Sequence, residues 1–235
     1  MTQNDTAKLP AFRPVGDRAL LLTYSDTTSH DVSDAIVAAD RCICAAAPKG
    51  LCEVIPALVN LLVVFDPLET DHDQIEADLR TLLSGMTAVT NSGTLRAVDV
   101  CFDPAVAPDL AAVAAARGMT EEAFRTAFLA GTFTVRMYGF APGYAYMSGV
   151  PEAIQVPRKP AAVRDVPAGS VIFAGNQCLV TTLTMPTGWS IIGHSPTQIL
   201  SSRSERPFLL DVGDRVEFHQ IGAASLAVAK EARHD

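Results

Sequence analysis

The sequence predicts an α+β protein in two parts: a small amino-terminal α/β unit, then a larger unit of short strands arranged as a barrel or sandwich. Three observations carry this reading. Ahead of residue 92, two long segments with apolar residues at helical spacing alternate with apolar runs of strand length. Beyond Phe133 the helical period stops, and short apolar stretches alternate with Gly and Pro turns. Between the two patterns stands the polar cluster Asn91-Ser92-Gly93, which reads as a boundary loop. The expected parts are therefore 17–92 and 93–235, behind a disordered tail of 1–16.

In the first part, Ala19 to Tyr24 is a strand-length apolar run ended by the polar residues from Ser25 to Ser29. Val32, Ile36, Val37, Ala39 and Ile43 then recur on one helical face. Asp31 falls in the first turn, where the helix dipole favours an acid, and Pro48 with Lys49-Gly50 closes the segment. Glu53 to Ala57 and Leu61 to Phe65 are strands with a tight connection around Leu58 to Asn60. A second helix begins near Thr70, carries Ile75, Leu79, Leu82 and Leu83 on its apolar face, and stops at Gly85. Leu95 to Phe102 is a further strand, which either completes a split βαββαβ unit or opens the second part; the pattern is compatible with both. Two short helices follow at 109–117 and 120–129, the second with Thr120 as cap and Glu121 and Glu122 in its first turn. Strand-like stretches then fall at 133–137, 171–174, 178–183, 190–193, 207–210 and 215–221.

A net charge of -8 and a pI near 5.1 argue against nucleic acid or an anionic membrane as partner. Five cysteines, odd in number and without paired CxxC spacing, indicate neither a zinc site nor a disulfide framework, and the five histidines are scattered, so no metal is expected. The polar start MTQNDTAKLP lacks the pattern of a secretion signal, and the most apolar window, Val54 to Phe65, is too short to span a bilayer. The expectation is a cytoplasmic protein. An apolar content of 49%, although inflated by alanine, also fits a surface covered by an obligate partner.

Chemistry concentrates between Tyr138 and Pro196, where glycines, prolines, cations and aromatics crowd together without periodicity. In GFAPGYAYM, Pro142-Gly143 is the pair that a type II turn requires at its centre. Arg158, Lys159 and Arg164 fall close together with no acid until Asp165, a patch that either draws a small anion or is simply solvated. Tyr144, Tyr146 and Trp189 either line a pocket or pack a corner. His194, titrating near neutral pH, is a candidate acid, base or ligand contact, or a hydrogen-bonded structural residue. Gln177, beside Asn176, could bind an amide or carboxylate or form a turn, and the Ser170 hydroxyl reads as a turn brace. No GxSxG elbow, GxxxxGK[ST] loop or helix-opening GxGxxG occurs.

Taken in order, GFAPGYAYM, PRKPAAVRDVPAGSVIFAG, GWSIIG and RPFLLDVGDRVEF resemble the family that includes the 5-oxoprolinase component PxpB, the kinase inhibitor KipI and allophanate hydrolase subunit 1. The likeness extends to VIPALVNLLVVFDP and APDLAAVAAARGMTEEAF, and so to nearly the whole chain. It implies a cyclophilin-like β-barrel for the second part and a composite site shared with a companion PxpC/KipA-like subunit, similar to allophanate hydrolase subunit 2, with a PxpA-like subunit as a further member. The implied reaction is ATP-dependent opening of 5-oxoproline to glutamate, with ATP bound in the complex and not necessarily on this chain. The alternatives are a biotin-dependent carboxyltransferase acting on urea or a related amide, and a KipI-like inhibitor of a histidine kinase. On this reading His194 and Arg158 are the candidate catalytic residues, and Gly143, Tyr144, Tyr146, Arg164, Gln177 and Trp189 the candidate contacts for a small amide or carboxylate. The sequence departs from the family pattern at Thr181, Thr182, Met185 and Thr187, and at His194, where Arg is usual.

Overall fold

The computed structural model describes residues 9–86, 93–201 and 206–231, and the chain divides into two compact units, Met1–Ser92 and Gly93–Asp235. Among the described residues no helix is long and apolar enough to cross a membrane.

The first unit runs β1 (Ala11–Val15), β2 (Ala19–Thr23), α1 (His30–Ala46), β3 (Leu51–Pro56), β4 (Asn60–Phe65) and α2 (His72–Ser84). Its sheet has the order β1-β2-β4-β3, with every pair antiparallel. Both helices start where a short polar side chain captures a free backbone N–H. Val32 N donates to Ser29 Oγ at 3.2 Å, and Gln74 N donates to Asp71 Oδ1 at 2.8 Å. Each helix then turns one apolar face to the sheet, so that Ile36, Ile43, Ile75 and Leu79 bury fully against Leu20, Leu22, Leu61 and Val63.

One expectation is corrected here and one open choice is resolved. Ala11–Val15 belongs to no disordered tail: it pairs with β2 through Ala11↔Thr23 to Val15↔Ala19. Its residues are mostly exposed and include Pro14, which lacks a ladder N–H, and an edge strand tolerates both. The expected tail at 1–8 lies outside the described residues, as do Asn91 and Ser92 of the expected boundary loop. Of the two readings open for the strand after residue 93, the second holds, because Leu95–Cys101 joins the barrel of the other unit. β1 takes the edge place beside β2 that the last strand of a split βαββαβ motif would fill.

The second unit contains β5 (Leu95–Cys101), α3 (Leu110–Ala116), α4 (Glu121–Leu129), β6 (Phe133–Tyr138), β7 (Ala145–Ser148), a 3-10 turn (Glu152–Ile154), β8 (Val163–Val166), β9 (Ser170–Ala174), β10 (Gln177–Val180), β11 (Met185–Thr187), β12 (Ser190–His194), β13 (Arg215–Ile221) and α5 (Ala223–Glu231). Seven strands close a barrel in the order β10-β7-β6-β13-β5-β12-β9, with β9 pairing back onto β10. The α+β class and the barrel read from the sequence are both present. Alternate strand residues, among them Val98, Phe133, Val171, Phe173 and Phe218, form one core with Phe124 and Phe128 of α4.

The opposite faces of β9, β10 and β12 are also apolar. Ile172, Leu179 and Ile191 form a second cluster with Tyr144, Trp189 and Val166, and the two-stranded β8–β11 ribbon belongs to this side. A strand buried on both faces loses its alternation, which is why β9 reads as a continuous apolar run. The expected strand at 207–210 is reduced to a single bridge, Leu200↔Phe208. β7, β8, β11 and α5 were not expected; β8 is short and mostly exposed, and β11 is three half-buried or exposed residues with a proline at its centre, so both lack the apolar signal.

Candidate functional site

Two turns shape the site. Tyr144 N donates to Ala141 O at 3.1 Å around Pro142-Gly143, with Gly143 at φ +76°. Thr182 Oγ1 donates to Pro142 O, and a Cβ on Gly143 would lie 2.8 Å from Thr182 Cγ2, so this residue is fixed by conformation and by close approach. In the second turn Gly169 has φ +88°, and the Pro167 carbonyl accepts from Ser170 N, Ser170 Oγ and Thr181 Oγ1. The Ser170 hydroxyl is a turn brace.

Tyr144, Tyr146, Arg158 and Trp189 converge on one cleft of about 150 Å³, with Phe140 and Pro186 on its walls. The Tyr146 ring meets Trp189 edge to face at 5.7 Å, and the Arg158 guanidinium carbon lies 5.5 Å from the Trp189 ring centroid. The neighbouring cation is engaged elsewhere: Lys159 Nζ pairs with Asp109 Oδ2 at 2.5 Å, and the same carboxylate accepts from Ile191 N at 2.6 Å. Lys159 N donates to Gly188 O at 2.7 Å, which ties the Arg158 segment to the Trp189 segment. Arg158 itself makes no hydrogen bond or ion pair with a described residue. Its planar fork is free for an anion. Burial pushes the Tyr146 phenol up, opposed by Arg158, and burial with the nearby Tyr146 pushes Tyr144 up. Both phenols stay protonated at neutral pH and can donate.

Other candidates fall outside this cleft. Arg164 lines an adjoining hollow with Asp165 and Met185, and the two hollows share Pro186. Gln177 lies where the β9–β10 hairpin begins its second strand, paired with Ala174. Its neighbour Asn176 accepts from Gly149 N through Oδ1, a structural task. Gly143 packs on Thr182 and Leu200. His194 closes β12 with 7% of its surface exposed, in register with Ser170 and Cys101. A Cβ on Gly169 would stand 2.8 Å from its Cε1 and Nε2, so the imidazole is packed under that turn. His194 and Arg158 therefore do not share the cleft. Two contributors escape a reading of the sequence. Asp109 is distant in the chain from the segment it tethers, and no local signal marks it. Phe140 stands at φ +68° and is 70% exposed on the rim, and its only local sign is the neighbouring Gly139.

Over residues 10–210 the chain matches the family described as carboxyltransferase domain, subdomain C and D. It is 28% identical over 228 residues to the B-type subunit of 5-oxoprolinase from Bacillus subtilis (strain 168), covering 92% of this chain and 95% of that protein. It is 33% identical over 167 residues to the corresponding 5-oxoprolinase subunit of Escherichia coli O157:H7, covering 71% and 76%. The crystal structure of TTHA0988 in space group P212121 superposes with a TM-score of 0.78 at 28% identity, over 87% of this chain and 40% of that one. This chain thus corresponds to less than half of TTHA0988. The match to the family spans both units, from β1 to the segment before β13, and the chain belongs to the carboxyltransferase domain family, subdomains C and D.

Proposed function

We propose that this chain is a subunit of a 5-oxoprolinase, and that its aromatic cleft binds 5-oxoproline while the complex opens the cyclic amide to glutamate with ATP hydrolysis. The observation that carries the reading is the Arg158 guanidinium, held against Trp189 with no protein partner of its own among the described residues. A substrate carboxylate fits that fork through two parallel hydrogen bonds. The flat five-membered ring then rests against Trp189 and Tyr146, and the protonated Tyr146 hydroxyl is a donor for the amide oxygen.

Size and chemistry support the same division of labour. A cleft of about 150 Å³ is smaller than the ~300–1,000 Å³ of drug-sized pockets and suits a substrate of few atoms. Among the described residues lining it there is no carboxylate, imidazole or thiol. This wall binds and orients, and the groups that activate water and handle ATP come from a PxpC/KipA-like companion and a PxpA-like subunit. The relatives are named as one subunit of 5-oxoprolinase, which supports a multi-subunit enzyme.

The test is ATP-dependent glutamate release from 5-oxoproline by this chain co-purified with its companions. Release that requires this subunit and falls in Arg158→Ala supports the reading. No release from an assembled complex overturns it and favours biotin-dependent carboxylation of a urea-like amide.

A further inference from the structure

A third hollow in the barrel unit carries three different chemistries side by side. It measures about 470 Å³, against 150 Å³ for the aromatic cleft, and is lined by Arg96, Tyr138, Arg206, Phe208 and Asp211. This size falls within the range of pockets for organic ligands, about 300–1,000 Å³. The residues 206–211 belong to the motif RPFLLDVGDRVEF, which the substrate cleft does not use.

Arg96 is held at one end only. Its Nε donates to Asp214 Oδ2 at 3.0 Å, and Asp214 is fixed by further bonds from Thr94 N and Asp211 N. The two terminal nitrogens of Arg96 have no partner among the described residues. An anchored guanidinium with its fork open is suited to an anionic oxygen group. The aromatic element is equally fixed. Tyr138 donates its hydroxyl to Leu210 O at 2.6 Å, and the Phe208 ring leans on it at 5.4 Å while staying 44% exposed. Asp211 engages Val212 N through Oδ1 and leaves Oδ2 without a partner among the described residues.

We propose that this hollow binds a nucleoside phosphate, with the base on Phe208, the phosphate on Arg96 and the sugar hydroxyls on Asp211. A cation, an acid and an exposed ring around one space match the three parts of that ligand: phosphate accepts, ribose hydroxyls donate, and the base stacks. A lone inorganic anion would need no ring, and an apolar ligand would need neither charge. The site consists of barrel residues alone and does not depend on the reaction proposed above.

Isothermal titration of the full chain with AMP, ribose 5-phosphate and inorganic phosphate tests it without companion subunits or turnover. AMP is expected to bind, with ribose 5-phosphate weaker by about tenfold or more for want of a stacked base. Phe208→Ala should weaken AMP by about tenfold and leave ribose 5-phosphate unchanged, since the substitution removes only the ring. Arg96→Lys keeps a charge beside the buried Asp214 while losing the planar fork, and should weaken AMP and ribose 5-phosphate alike. No heat with millimolar AMP from a chain that is folded by circular dichroism overturns the proposal. Equal binding of AMP and inorganic phosphate, or AMP binding unchanged in both variants, overturns it as well. Failure here leaves glutamate release intact as the test of the aromatic cleft.

Discussion

Arg158 and Lys159 are adjacent and share a charge, yet the fold gives them opposite tasks. Lys159 is committed to Asp109, whereas Arg158 lies on Trp189 with its donors open. On the proposed function, Arg158→Ala is expected to raise KM for 5-oxoproline in the assembled enzyme by about ten- to a hundredfold, the value of a charged hydrogen bond or two. Arg158→Lys should recover only part of this, because an ammonium cannot offer two parallel donors; full recovery would show that charge alone suffices. His194 illustrates the limit of reading chemistry from a residue type. Its place in a glycine-rich segment suggests an acid or base, but the glycine in question, Gly169, is the residue that packs its ring. Gly169→Ala combines a φ of +88° with contacts of 2.8 Å to the ring and to Ser195 O. It should cost on the order of 1–3 kcal/mol in denaturant unfolding, and a neutral result would mean that the turn can relax.

Elements with a strong period were legible in the sequence, and those defined by their neighbours were not. α1 and α2 announce themselves through apolar spacing, α4 through its Thr120 cap and first-turn acids, and β9 through a continuous apolar run. β1 and β8 are exposed and hold their place only through pairing, which no local pattern encodes. The candidate site divides in the same way. Tyr144, Tyr146, Arg158 and Trp189 were legible because aromatic and cationic residues in glycine-rich turns stand out, whereas the tether of Lys159 to Asp109 at the start of α3 joins segments too distant in the chain for a local pattern to mark. Asp109→Asn weakens the pull on Lys159 while keeping an oxygen for Ile191 N. The expected result is a higher KM with Arg158 still present and a loss of roughly 1–2 kcal/mol in stability. An unchanged KM would show that the Lys159–Gly188 backbone bond alone positions the segment.

Across the whole molecule, two separate cores were foreshadowed by the change of period near residue 92, while the spacing of the short strands alone left barrel or sandwich open, because closure depends on the parallel β5–β13 pair between distant segments. One property spans both units: all four tyrosines, Tyr24, Tyr138, Tyr144 and Tyr146, are pushed above their ordinary value of 10.0, in each case chiefly by burial. The sign of the linkage follows. In the unfolded chain the phenols lose protons near pH 10, while the folded chain holds them, so above that pH the unfolded state binds fewer protons and stability falls as pH rises. Below pH 10 the contribution is present in full. Tyr24 separates this from a general alkaline effect, because its hydroxyl oxygen is buried without a hydrogen-bond partner among the described residues. Tyr24→Phe removes an unsatisfied polar atom and a group that resists ionisation. It should stabilise the chain by about 1 kcal/mol at neutral pH and make the decline above pH 10 shallower. Denaturant unfolding of both proteins as a function of pH, with tyrosinate absorbance followed in parallel, checks this. If Tyr24→Phe destabilises the chain at neutral pH, the hydroxyl has a partner in solution; if the alkaline decline is unchanged, Tyr24 contributes nothing to it.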